Sequence, residues 1–396
     1  MKKLATIAAY SLLTAACADA PIEPRAWEFD VPPGLPTHVY PPISAEQRAD
    51  SRIELVEDLV IGSDDDPNAL FGYISSVTVD PAGRIYVPDP TNHRVQIFGI
   101  DGNFLASVGG EGEGPGEMDG PRTAVATKDH LYVASSGKIT VWSTESFELV
   151  DEIKPTARIF GVLGLRSTEF LVATGGEFEV GDDGLPRQRS VTSLLDLAGE
   201  STPIVSFDLS NEPDARFPGG GEMHLAISPR ARPQVAVSQS GAVYYSLSNE
   251  SQIMALSDRD APLWAAQVAE APREFNDTAV RSWADLLLQT APNIGDQLEP
   301  NPPPRLAAVA ELRVDGHDRL HVYGFTPPWD DDGRGRDVDI YNASGARVLS
   351  GRAPRHSWSV GLGDFVYGVG TDPVTEEYRV YRWRLVLPGE RNDRDS

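Results

Sequence analysis

From Ser76 to Gly110, apolar and polar positions alternate in four short runs separated by turn residues. Val77 and Val79 alternate with polar neighbours, and Asp80-Pro81-Ala82-Gly83 follows as punctuation. Ile85-Tyr86-Val87 is a continuous apolar run, Val95, Ile97 and Phe98 open a third, and Asp101-Gly102 leads into a fourth over Phe104 to Val108. Runs of this length bounded by Gly, Pro and Asp predict strands, and an Asp-Gly pair between two of them predicts a hairpin. The pattern returns at Leu131-Tyr132-Val133 and Ile139-Thr140-Val141-Trp142, then at 235–254 and 312–341, with weaker copies at 157–207 and 354–386.

Six units of four strands predict an all-β chain, a six-bladed β-propeller, because a blade buries its faces only against neighbouring blades. The last unit shows three strands: Trp358-Ser359-Val360, Phe365-Val366-Tyr367 and Tyr378 to Leu385. The run Ile53 to Val60 is the expected fourth, so that an N-terminal strand closes the ring and removes a free edge. One short helical insertion is expected at about 272–305. There Val280, Trp283, Ala284, Leu287 and Leu288 share a helical face, with Asp277 as N-cap and Pro292 as the stop. It is expected to cover apolar surface on one face of the ring, with a lid over the central channel as the other role weighed. The propeller is therefore placed at 52–388, with a polar tail at 389–396.

The N-terminus changes the picture of address. Lys2 and Lys3 precede an apolar stretch, Leu4 to Ala16, that is shorter than the ~20 residues a bilayer span needs. Residues 1–16 read as a signal peptide. Leu13-Thr14-Ala15-Ala16-Cys17 resembles a bacterial lipobox, which implies acylation of Cys17, the only cysteine, although Thr14 stands where the family has an aliphatic residue. Cleavage after Ala18-Asp19-Ala20 is the rival, which Pro21 disfavours. The Pro-rich stretch that follows predicts an extended tether over 17–51. Ala18 after the cysteine implies, by resemblance to lipoprotein sorting, the outer membrane facing the periplasm; a secreted or soluble periplasmic protein is the alternative.

Asp80-Pro81-Ala82-Gly83-Arg84-Ile85-Tyr86-Val87, Asp89 and Asn92-His93-Arg94-Val95 resemble an NHL repeat. Across 52–388 the chain is similar to bacterial six-bladed propellers of the NHL-like class. That resemblance implies that Asp89, Asn92 and Arg94 are structural repeat residues. The loop at 109–117 resembles the glycine-rich inter-blade loop of the same group.

Composition narrows the function. With 34 basic and 59 acidic residues the formal charge is −25, which offers nucleic acid no basic excess. Loss of residues 1–16 would make it −27. The 109–117 loop lacks phosphate-loop spacing and carries glutamates, so a crossover between blades is expected there. Asp64-Asp65-Asp66 and Asp330-Asp331-Asp332 lack calcium-loop spacing and read as solvated turns, with Trp329 making the second a conceivable binding loop. His317 and His321 flank a turn and a strand start, so helical zinc spacing does not apply. No catalytic residue and no cofactor is predicted, with calcium the one cation left open. The expectation is a monomeric lipid-anchored scaffold that binds an unknown ligand or envelope protein and meets the membrane through its lipid. The alternative is a divalent-cation enzyme of lactonase or lyase type. A channel lined by inward carboxylate, Asn or His groups would favour the enzyme; one lined by Ser, aliphatic and unpaired polar groups would favour the scaffold.

Overall fold

The computed structural model describes residues 29–63, 66–166, 170–180, 186–209, 215–217, 222–223, 232–247, 251–257, 261–268, 273–290, 299–328, 333, 335–356 and 358–390. Six antiparallel sheets appear where the alternating pattern predicts them. Blade one spans Thr78–Gly109, blade two Thr123–Ile153 and blade three Ile159–Leu209. Blade four spans Gln234–Val268 and blade five Val309–Ala353. Blade six takes three strands from Trp358–Val386 and its outermost strand, Glu54–Ile61, from the N-terminal side. Glu54 pairs with Val386 and Ile61 with Val380, so the chain ends close the ring by hydrogen bonds.

Each blade buries its faces against the next. Tyr86, Val95 and Ile97 of blade one pack with Leu131 and Val133 of blade two. Equivalent apolar clusters join blades two and three, three and four, four and five, five and six, and six and one. Consecutive inner strands touch all the way round. The near-continuous apolar runs of the second and third strands follow from this geometry. Ile85–Asp89 and Gln252–Leu256 are buried at every position because both sheet faces are covered.

Two expectations need correction. The tether placed at 17–51 is not a free spacer over its described part. Phe29, Val31 and Leu35 pack into the cluster between blades three and four. Thr37–Tyr40 then adds a fifth, parallel strand to blade four, and a short helix, Ala45–Asp50, follows against blade five. Arg48 of that helix is buried and donates Nη1 to Asp339 Oδ1 at 2.9 Å and to the Val338 carbonyl. The prolines suit an extended strap, but its aromatic and aliphatic side chains find apolar partners, which a spacer needs to lack. Residues 29–61 thus belt the rim from the seam of blades three and four to blade six.

The insertion forms a helix, Asp277–Thr290, as expected, but its N-cap is Asn276. Asn276 Oδ1 accepts the backbone N–H groups of Thr278 and Ala279. Asp277 is its first residue, where a carboxylate suits the helix dipole. Trp283 and Leu287 are buried with Ala215 and Phe275, whereas Leu288 is exposed. Pro292 lies outside the described residues.

Candidate functional site

The innermost strand of every blade is a sheet edge, so its alternate backbone N–H and C=O groups have no neighbouring strand. The six edges surround a channel of about 660 Å³. Its walls carry Val79, Val125, Leu163, Val237, Val314 and Leu362, one from each blade, interspersed with Ser and Thr hydroxyls. Leu163 is 37% exposed, a large aliphatic side chain left open to this space. Val162 N–H donates to Thr123 Oγ1 at 2.7 Å, one case in which a neighbouring wall satisfies an edge amide. The channel is not round. At Gly164 an added Cβ would stand 2.6 Å from a Val237 methyl. At Gly316 and Gly361 the turn of blade five presses against the inner strand of blade six, leaving no room for a side chain.

The first turns of blades one and five frame one end. Asp80 Oδ1 accepts the N–H groups of Ala82 and Arg84, and its Oδ2 accepts Arg84 Nε at 2.6 Å and the Tyr86 hydroxyl at 2.9 Å. Burial, then the Asp80 charge, raises the Tyr86 phenol well above its ordinary value. Asp315 repeats the device with His317, Arg319 and His321, whose Nε2 lies 2.9 Å from Asp315 Oδ2. Burial works against ionisation of Asp315, but the hydrogen bond and charge of His321 and the nearby Arg319 outweigh it and hold the carboxyl at about 2. The sequence carried a signal for both: Asp and Arg four apart, followed two residues later by a ring that can donate, at 80, 84, 86 and at 315, 319, 321. At the same end Gln239 of blade four donates its backbone N–H to Asp318 and its Nε2 to the Gly361 carbonyl, linking three blades across the channel mouth. Lys128 also lines this space.

Asp89, Asn92 and Arg94 do come together, at the opposite end of blade one. The fully buried Asp89 carboxylate accepts the N–H groups of Gly72 and Tyr73 and the Asn92 side-chain amide at 2.7 Å, with Arg94 Nε 3.6 Å away. Arg94 donates to the Leu70 carbonyl. The trio pins the linker from blade six onto blade one. His317 and His321 do not converge: His317 Nε2 turns to Asp364 of blade six at 3.0 Å, while His321 is sealed in the blade-five turn. The 109–117 loop is an inter-blade crossover. Lys138, missed in the sequence, fastens it by donating to the Gly114 carbonyl and to Glu152 at 2.6 Å. That hydrogen bond is the main cause lowering the Glu152 carboxyl below its usual value. Asp66 forms a turn, its Oδ1 accepting Asn68 N–H. Cys17, Asp64, Asp65, Trp329 and Asp330 to Asp332 lie outside the described residues. Among those described, no three His, Cys, Asp or Glu side chains gather as a metal site would require, and no helix is long and apolar enough to cross a membrane.

Comparison with a family model agrees on the fold. A family model described as a six-bladed β-propeller matches residues 59–160. No curated protein matches the sequence. Among solved structures, a candidate exported protein from Bacteroides fragilis is similar at 10% identity and a TM-score of 0.47, covering 89% of this chain and 99% of its own. A member of a domain family of unknown function from Bacteroides vulgatus is similar at 12% identity and a TM-score of 0.48, covering 85% and 98%. A calcium-binding protein, regucalcin, from Agrobacterium tumefaciens is similar at 10% identity and a TM-score of 0.36, covering 88% and 97%.

Proposed function

We propose that this chain is an exported binding propeller whose central channel holds a neutral small molecule with an apolar body. The channel wall carries the reading: aliphatic side chains from all six blades, hydroxyls, and the free hydrogen-bonding edges of the inner strands. Such a surface offers contact area to an apolar body and a few directional partners to its polar groups. Asp80, the one carboxylate lining the channel among the described residues, is committed to its turn, which supports recognition rather than acid–base chemistry. The signal-like residues 1–16 and the lipobox-like residues ending at Cys17 support export and a lipid anchor. The repeat residues Asp89, Asn92 and Arg94 support a place in the NHL-like class.

A neutral solvatochromic dye such as Nile red tests the channel. The full chain should bind it with one-to-one stoichiometry, and Leu163→Trp, which fills the channel from blade three, should abolish binding while leaving the thermal unfolding midpoint close to wild type. Equal binding by a stably folded Leu163→Trp variant would sink the reading. A labelled-lipid assay comparing wild type with Cys17→Ala tests the anchor. Label should disappear in the variant, and equal labelling ends the lipoprotein proposal.

A further inference from the structure

A second cavity, of about 140 Å³, opens between blades four and five at the ring end opposite the Asp315 turn. The belt helix Ala45–Asp50 supplies part of its wall through Arg48. Hydroxyls without a partner meet here. Tyr341 is 1% exposed, and its hydroxyl makes no hydrogen bond among the described residues. The Ser251 and Thr326 hydroxyls on the same lining make none either. An unpaired phenol in the interior is costly, so one standing at a cavity marks a place for a ligand's polar atom. The charged groups of the wall, in contrast, already answer one another. Arg48 donates Nη1 and Nη2 to the two oxygens of Asp339, and Asp337 has Arg352 Nε at 3.3 Å. Arg273 is exposed and donates Nη2 to the Ala307 and Phe325 carbonyls.

We propose that this cavity is a binding site, separate from the channel, that takes one neutral monosaccharide ring. A sugar hydroxyl both donates and accepts, so it pairs with the hydroxyls of Tyr341, Ser251 and Thr326 and with the remaining lone pairs of the Asp337 carboxylate. Leu306 and Phe325, on the same lining, offer apolar surface to the C–H face of the ring. The volume falls below the roughly 300–1,000 Å³ of sites for drug-sized ligands, which suits a single ring and leaves no room for a chain of them. A carboxylate or ammonium on the sugar would meet charges that are already partnered, and would give up its hydration without a new counter-ion.

Saturation-transfer NMR on the full chain with D-glucose, D-galactose, D-mannose and D-xylose tests this, with D-glucuronate and D-glucosamine as charged comparators. At least one neutral sugar should give a saturable signal, and both charged sugars should bind more weakly than it does. Tyr341→Phe removes the hydroxyl and keeps the ring. It should weaken the neutral sugar by about fivefold or more, the loss expected for one hydrogen bond. That hydroxyl has no partner to lose in the fold, so the variant should unfold at or above the wild-type temperature and the test stays valid. Saturating Nile red should leave the sugar affinity unchanged, because the channel lies elsewhere. Absence of a saturable signal from all four neutral sugars, tighter binding of a charged one, competition by Nile red, or an unchanged affinity in Tyr341→Phe overturns the proposal.

Discussion

Asp315 is 1% exposed, and its carboxylate accepts two backbone N–H groups, Arg319 and His321. Its folded value of about 2 lies below the ordinary 3.8, so the folded state binds the proton less readily than the unfolded chain. The ionised turn therefore stabilises the fold fully above pH 4, and that stabilisation drains away as pH falls from 4 towards 2, by about 2 kcal/mol in all. Asp315→Asn should be destabilised by about that amount at pH 7 in urea denaturation, and the gap to wild type should close on acidification. Parallel pH profiles for the two proteins would contradict this. The Asp and Arg letters of this turn were legible in the sequence at 80 and 84. It recurs with the same Asp and Arg letters at 315 and 319, but His321 stands where Tyr86 stands, so the donor role shared by the two rings is visible only in the geometry. Lys138 was illegible for another reason: its partners, Gly114 and Glu152, are set by the path of a loop rather than by local spacing.

The elements that the pattern predicts best are those with two covered faces, the second and third strands of each blade. The belt was misread because proline content speaks to backbone shape and says nothing of what packs on it. Arg48 shows what holds it. Its guanidinium meets Asp339 with both sides little exposed, and Asp337 stands 3.7 Å away. Arg48→Ala would leave Asp339 buried with only Arg347 at 3.9 Å, and should cost about 3 kcal/mol in denaturant unfolding. Ser344→Ala, at an exposed turn the belt also touches, should cost under about 1 kcal/mol. Equal costs would mean that the belt is held by its strand pairing alone. Removal of residues 52–61 should do more. It strips blade six of its outer strand and exposes Tyr378–Val386 as an edge, so unfolding should lose cooperativity and shift far below wild type. Unchanged stability would refute closure through this strand.

At the scale of the whole molecule, repetition was the legible feature, and it gave the blade number before any contact was known. The channel wall was not legible, because which alternate residues of six separate strands converge on one axis depends on blade twist and on pinch points such as Gly164 against Val237. Among the described residues Asp80 is the one carboxylate lining the channel, beside Lys128 and Arg313, so the chain's acidic excess does not fall on the channel wall. Amide hydrogen exchange tests the channel claim most directly. Inner-strand amides that face the channel have no sheet partner and exchange with water unless a bound molecule excludes it. With Nile red bound, exchange should slow at Thr123–Ala126, Ile159–Arg166, Gln234–Val237 and Val309–Val314 together, and outer strands such as Leu149–Ile153 should be unaffected. Protection confined to outer strands, or to one blade, would contradict the account.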